Sequence, residues 1–280
     1  LVLTLGSTII GWLIERIALH TQGALQSIAV VALVAGLASA LAAKSLEQSV
    51  LKVIAALPCE GGGSLSTARE QLSWIVGRDT ASLSGDEILR ASAETASENA
   101  VDGLFAPLFW MLVGATLWSL GLSDAPGPLA LAWGFKAAST LDSMLGYRRG
   151  TLRWLGTAGA RLDDLLTWIP CRLVMLSLPL VSRPWRQWPA LVRSAESDGQ
   201  HDDSPNAGRS EAIYAHCAGV QLGGRNRYGE RWVDKPLLGA DQPKADPQGI
   251  SRILALTGRL ELLWILIAAL LSWSLQARAQ

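Results

Sequence analysis

Glu94, Glu98 and Asp102 recur every four residues in "ASAETASENAVDGLFAPLFW", residues 91–110. Glu87 and Arg90 extend the same stripe towards the N-terminus, because residues three and four apart share one helix face. Arg90 and Glu94 can pair at i,i+4. Glu94, Glu98 and Asp102 repel one another, at a few tenths of a kcal/mol per pair even in water. The cost rises where the chain runs into Leu104, Phe105, Leu108, Phe109 and Trp110, since an unpaired charge in apolar surroundings is expensive. A positive charge is therefore expected at the stripe. Mg2+ qualifies, because it takes one or two carboxylates plus substrate phosphates. Basic side chains from other segments qualify equally, and a solvated helix face is the plain alternative.

Other polar islands interrupt apolar sequence. "FKAASTLDSMLGYRRG", 135–150, carries Lys136, Thr140 and Asp142. Lys136 and Thr140 stand one helical turn apart. A Lys binds phosphate as a point charge, although a Lys near a membrane also snorkels to the interface. "GARLDDLLTWIPCRL", 159–173, carries Arg161, Asp163, Asp164 and Arg172, which read alternatively as a membrane-boundary charge cluster. "DDSPNAGRSE", 202–211, is a turn followed by a helix start. "QLGGRNRYGE", 221–230, pairs Gly223 and Gly224 with two Arg. Such glycines let backbone N–H groups approach an anion, though Gly pairs also mark ordinary turns.

The elements that must hold these residues are helices in an apolar chain. Half of the 280 residues are hydrophobic and only 17% are charged, against about 25% in average soluble domains. Net charge is zero and no basic block with interleaved aromatics occurs, so nucleic acid is not an expected partner. The twelve Trp suit membrane interfaces. Three scattered cysteines, Cys59, Cys171 and Cys217, form neither a disulfide framework nor a CxxC site. Apolar stretches at 3–19, 26–43, 104–122, 165–182 and 253–275 approach the roughly 20 residues that span a bilayer. Glu15 and Arg16 give the first a polar face, compatible also with an interfacial helix. Arg172 within the fourth should face protein or a cavity. Residues 128–140 are too short to span and are expected as a re-entrant or packed segment. Ser84 with Glu87 predicts a capping box opening the stripe helix. The chain opens on Leu1 rather than Met, which leaves a truncated N-terminus open.

The expected fold is an all-α integral membrane protein. It has four to five transmembrane helices, with amphipathic helices and a polar loop region at the cytoplasmic face. Its organisation divides into 1–45 (N-terminal membrane helices), 46–103 (amphipathic helical region with the stripe), 104–182 (central membrane region), 183–250 (polar Gly/Pro-rich loop region) and 251–280 (C-terminal membrane helix).

"VGRDTASLSGDEILRASAETASENAVDGLFAPLFW", "STLDSMLGYR", "ARLDDLLTWIPCRL", "SPNAG" and "LGGRNRYG" occur here in an order that resembles the CobD/CbiB family of cobalamin biosynthesis, the adenosylcobinamide-phosphate synthases. The resemblance covers about residues 45–250. It implies an enzyme of the cell membrane that uses ATP and Mg2+ to join adenosylcobyric acid, a cobalt corrinoid substrate, to (R)-1-amino-2-propanol phosphate or a related amino alcohol. The new bond is an amide. An acyl-phosphate mechanism for that bond needs Mg2+ on carboxylates and a base near the amine, so catalytic roles are expected for Glu94, Glu98, Asp102 and Asp142, with metal ligation by Glu98, Asp102, Asp163 and Asp164. Asn99, Lys136, Thr140, Arg161, Arg172, Ser204, Asn206, Gly223, Gly224 and Asn226 would bind phosphate or the corrin amides. The implied partners are these substrates, membrane lipid and other late enzymes of the same pathway. The site is expected on the cytoplasmic side, in keeping with the basic "YRRG" loop and Arg153.

The sequence departs from the family pattern in places. The usual Gly-Asp-Pro and His-Pro opening is not visible, through truncation or divergence. Ser139 and Thr167 stand where Asn is usual, Cys171 where Ala is usual, and Arg209 where Trp is usual after "SPNAG". Two competing readings are a transporter, which predicts polar residues distributed through the spans, and a non-catalytic sensory relative, which predicts loss of the "ENAVDG" and "ARLDD" carboxylates. Those carboxylates are intact.

Overall fold

Each apolar stretch of the sequence is a helix. The computed structural model describes residues 2–58, 63–145, 153–182, 185–228 and 231–279. Eleven helices are described: α1 (Val2–His20), α2 (Ala24–Ala40), α3 (Ala43–Ala55), α4 (Ser66–Ser73), α5 (Gly85–Ala100), α6 (Ala106–Ser119), α7 (Pro128–Leu145), α8 (Arg153–Val181), α9 (Trp188–Gly199), α10 (Ala207–Ala218) and α11 (Pro247–Ala279). One antiparallel hairpin, β1 (Leu222–Tyr228) with β2 (Arg231–Leu238), lies between α10 and α11. The chain is an all-α membrane protein apart from this hairpin. Among the described residues, five segments are long and apolar enough to cross a membrane: Val2–His20, Ala24–Ala55, Gly85–Ser119, Gly156–Val181 and Pro247–Ser272. Helix α7 is not among them.

The chain forms two compact units, each drawn from separate stretches of sequence. The first holds Leu1–Ala42, Asp102–Pro170 and Leu263–Gln280. Its helices approach closely wherever glycine faces a neighbour. A Cβ on Gly11 of α1 would lie 2.8 Å from the Ala130 Cα of α7, and one on Gly36 of α2 would meet Leu129 and Trp133. Trp133 donates its indole N–H to the Gly36 carbonyl at 3.1 Å. Small residues at helix contacts are how apolar helices gain packing in lipid. Leu129, Ala130, Ala132, Phe135 and Ala138 are buried, so α7 is a packed core helix of this unit.

Glu15 and Arg16, the charges that interrupt α1, have specific partners in the same unit. Glu15 is fully buried. Its carboxylate accepts the backbone N–H groups of Gly127 (2.9 Å), Leu129 (2.6 Å) and Ala130 (3.2 Å) at the start of α7. An acid there satisfies donors that a helix N-terminus leaves open and meets the positive end of its dipole. Arg16 pairs with Asp124 at 2.7 Å and also donates to the Ser123 carbonyl.

The second unit holds Ala43–Val101 and Cys171–Leu262. Helices α3, α4 and α5 bury Val53, Ala68, Leu72, Leu83, Ile88 and Ala91 together. Ser84 caps α5 with the reciprocal Glu87 contact that the sequence predicts. Helix α5 leads through a π-type turn, Val101–Phe105, into α6. Such turns often mark functional positions, and this one carries Asp102.

The polar stretch 183–250, expected as a loop region, is instead α9, α10 and the hairpin. Its polarity is spent internally. Arg209 forks onto Glu196 at 2.6–3.0 Å, His216 meets Asp198 at 2.9 Å, and Lys235 reaches Asp202 at 3.2 Å. The "YRRG" loop at 147–150, on which the cytoplasmic orientation was expected to rest, lies outside the described residues, as does the Arg153 side chain.

Candidate functional site: a carboxylate cluster on helix α5

The positive charge that the stripe calls for is supplied at Glu94 by arginine. Glu94 is 1% exposed. Arg78 Nη2 lies 2.5 Å from its Oε2, and Arg90 Nη1 lies 3.3 Å from its Oε1. Gly223 donates its backbone N–H to Oε1 at 2.9 Å. Of the two neutralising agents open from sequence, basic side chains occupy this carboxylate. A charge buried this deeply is tolerated when it is paired and hydrogen-bonded.

The hairpin is shaped to reach Glu94. Gly223 has φ +79° and Gly224 φ +92°, and the strand register slips between them. A Cβ at Gly223 would collide with the Pro236 carbonyl oxygen of β2. Glycine bulges bend a strand and re-aim its groups. Arg90 clamps the bend, donating to the carbonyls of Gly223 and, at 2.9 Å, Arg225. The anion that the Gly223 N–H approaches is thus Glu94 itself, within the protein.

Glu98, one turn further along α5, is half-buried. It lies among the charges of Lys235, Asp202, Arg78 and Glu94. Lys235 on β2 sits between two further acids, with Nζ 3.2 Å from Asp202 Oδ2 and 3.6 Å from Glu211 Oε1. Glu211 of α10 is 2% exposed. Burial pushes its carboxyl well above the usual range against the pull of Lys235, and nearby Glu94, Glu98 and Asp202 push the same way. Burial works against the charge of Lys235 too. Glu211, Glu98 and Asp202 outweigh it and hold the amine above its ordinary value. Asn226 of β1, 2% exposed, accepts from Arg78 Nη1 at 2.8 Å through Oδ1. Its Nδ2 is buried with no acceptor.

Glu94, Glu98, Gly223, Gly224 and Asn226 are therefore gathered in the second unit. Asn99 is half-buried next to Glu98 on α5. Arg172, Ser204 and Asn206 form a separate arrangement there. Arg172 donates to Asn206 Oδ1 at 2.6 Å and to the Pro205 carbonyl at 2.9 Å. Ser204 Oγ accepts the N–H groups of Asn206 and Ala207 at the start of α10. Arg172 faces protein, as its place in an apolar helix requires. Arg78, Asp202, Glu211 and Lys235 went unmarked in the sequence reading. Glu211 had one signal, a single acid ahead of the apolar run "AIYAHCAG". Lys235, alone in a strand, had none.

The remaining expected residues belong to the first unit. Lys136 is half-buried on α7, and Thr140 donates its hydroxyl back to the Lys136 carbonyl at 2.8 Å. Asp142 feels the charge of Asp164 on α8. Asp163 is half-buried beside Asp164, and Arg161 is exposed. Asp102 is half-buried in the π-type turn. Among the described residues, no three His, Cys, Asp or Glu come together as a metal cage.

These features define a polytopic helical membrane protein whose acids and bases are concentrated in a buried cluster of its second unit. The chain belongs to the CobD/Cbib protein family, whose model matches residues 1–257. It is 47% identical over 236 residues to the "Cobalamin biosynthesis protein CobD" of Synechocystis sp., covering 84% of this chain and 64% of that one. Its counterpart of the same name in Yersinia enterocolitica is 41% identical over 235 residues, with 82% and 68% covered. The "Cobalamin biosynthesis protein CbiB" of Salmonella typhimurium is 41% identical over 217 residues, with 76% and 61% covered. The match thus spans about two thirds of the length of these relatives. No solved structure matches the chain.

Proposed function

We propose that the protein acts in cobalamin biosynthesis as an ATP-dependent amide ligase, joining adenosylcobyric acid to (R)-1-amino-2-propanol phosphate or a related amino alcohol at the cytoplasmic membrane. Membership of the CobD/Cbib family and the names of the relatives support the pathway. The observation that carries the chemistry is the cluster of Glu94, Glu98, Asp202 and Glu211 with Arg78, Arg90 and Lys235. A site that receives an amine as an ammonium and sends it on as a nucleophile needs a carboxylate that can hold the ammonium and take its proton, close to cations that fix the other acids in place.

A carboxylate is a poor acylating agent, because its oxygen is a bad leaving group. ATP with Mg2+, when bound, supplies the phosphoryl group that makes it a good one. Mg2+ is compatible with these residues in a limited sense. Among the described residues there is no all-protein cage, but Mg2+ needs only one or two carboxylates when nucleotide phosphates complete its shell. Asp142 and Asp164, close enough to feel each other, suit that role in the first unit, with Asp163 beside them and Lys136 and Arg161 as phosphate partners. In the second unit Glu98 binds the amine and takes its proton. Glu94 is held by Arg78, Arg90 and Gly223, and so orients the cluster instead of reacting. The cytoplasmic face is assigned because the cosubstrate ATP is cytoplasmic.

The test is product formation by the protein purified in detergent, supplied with adenosylcobyric acid, aminopropanol phosphate and Mg-ATP and read by mass spectrometry. An ATP-dependent amide adduct is the expected result. Folded protein that yields no adduct with any of several amino alcohols refutes the ligase and favours the non-catalytic relative.

A further inference from the structure

The cluster around α5 holds four carboxylates, Glu94, Glu98, Asp202 and Glu211, against three cations, Arg78, Arg90 and Lys235. The pairing within it is uneven. Both guanidinium groups go to Glu94, while Lys235 goes to Asp202 and Glu211. Among the described residues the Glu98 carboxyl makes no hydrogen bond and no ion pair, although four charged groups act on it. It is half-buried, as is Asp202, whereas Glu94 and Glu211 are sealed; Asp202 is held by Lys235, so Glu98 is the half-buried acid of the group left for a ligand.

A second, independent group in the same cluster points to a ligand. The Asn226 amide is fixed in orientation, because Arg78 offers only donors and must face its oxygen. Its Nδ2 is consequently the buried N–H left without an acceptor. Native proteins rarely leave such a donor without a purpose. Arg78 ties the two groups together: it holds Asn226, pairs with Glu94 and acts on Glu98. The Glu98 carboxylate suits a cation and the Asn226 N–H an oxygen.

We propose that Glu98 and Asn226 form a subsite for a vicinal amino alcohol, with Glu98 binding the primary ammonium and Asn226 Nδ2 donating to the oxygen two carbons away. Lys235 is a positioning residue here: by holding Asp202 and Glu211 it keeps Glu98 as the acid left for the ligand. The proposal deepens the ligase reading and rests on it for the identity of the amine. The later step balances without further reagents. The ammonium gives one proton to Glu98, nitrogen forms the C–N bond as the C–O bond to the leaving phosphate breaks, and the second proton leaves with that phosphate.

The test is isothermal titration of the full chain in detergent, without ATP or corrinoid, using 1-amino-2-propanol phosphate, propylamine and isopropyl phosphate as probes. The amino alcohol phosphate should bind more tightly than either fragment. Glu98→Gln, nearly isosteric, should weaken it by roughly tenfold to a hundredfold, the scale of one charged hydrogen bond, and leave isopropyl phosphate unaffected. Asn226→Ser, which keeps an oxygen for Arg78, should weaken the amino alcohol phosphate but not propylamine. Lys44→Gln, at an exposed pair on α3, should change nothing. Unchanged binding in folded Glu98→Gln, or isopropyl phosphate binding as tightly as the amino compound, overturns the subsite. So does Glu98-dependent binding of Mg2+ alone that competes with the amine. Product formation by a wild-type protein whose amine binding ignores both substitutions sinks the subsite and spares the ligase. Amine binding without any product does the reverse.

Discussion

The backbone N–H of Gly223 donates to Glu94 Oε1 at 2.9 Å, joining a strand to a helix 129 residues away in sequence. The contact exists because the strand bends at two glycines with positive φ, where a Cβ at 223 would strike the Pro236 carbonyl oxygen. Gly223→Ala should therefore do two kinds of damage. It strains the bulge, and it withdraws a donor from a buried carboxylate. A loss of about 3 kcal/mol or more is expected, read as a lower midpoint of thermal unfolding in detergent. An alanine variant as stable as the parent would show that the bulge is not needed to seat Glu94.

Glu98 differs from Glu94 in that its carboxyl has no partner of its own among the described residues, which leaves it to chemistry. In the proposed ligase, Glu98→Gln should abolish product formation while membrane insertion and helix content stay as in the parent. The measurement is turnover alongside circular dichroism of the same preparation. A fully active Glu98→Gln protein contradicts the assignment.

Local rules carried much of this molecule from sequence. The Ser84–Glu87 box, the apolar stretches and the protein-facing Arg172 each follow from a few neighbouring residues. The need for positive charge beside Glu94 was legible as well, but its source was not. Arg78 lies outside the stripe helix, and Lys235 approaches Glu211 and Asp202 from a strand. Such partners are defined by tertiary contacts that no spacing records. Gly223 shows the same limit from the other side. Its readiness to approach an anion was visible, whereas the identity of that anion depended on how the hairpin folds back. The polar run 183–250 read as loop because its charges lack helical periodicity, and they satisfy one another across α9, α10 and β2 instead.

Glu15 is the first unit's counterpart of Glu94, an acid buried completely and held by three backbone N–H groups at the start of α7. Glu15→Ala leaves those donors unsatisfied in apolar surroundings. A destabilisation of roughly 3 kcal/mol is expected from the orphaned groups. Glu15→Gln keeps an acceptor oxygen and should recover part of it. The check is the unfolding midpoint of both variants in one detergent. Equal midpoints for alanine and parent would mean that water reaches the α7 N-terminus.

Glu211 gives stability a pH dependence whose sign follows from its environment. Its carboxyl titrates well above the ordinary value of 4.5 in the folded protein, chiefly through burial. The folded state therefore holds a proton that the unfolded chain releases at lower pH. The stabilisation tied to that proton is complete below about 4.5 and is lost as pH rises through the raised folded value. Lys235 is shifted upward as well, but its contribution stays complete until pH exceeds its ordinary 10.5, so it does not mask the effect near neutrality. Glu211→Gln carries no titrating proton while keeping shape and hydrogen-bonding capacity. Above pH 4.5, the parent's unfolding midpoint should fall with rising pH more steeply than that of the variant. Parallel curves would place the Glu211 proton on solvent in the folded protein, and would make its buried contact with Lys235 an ordinary ion pair.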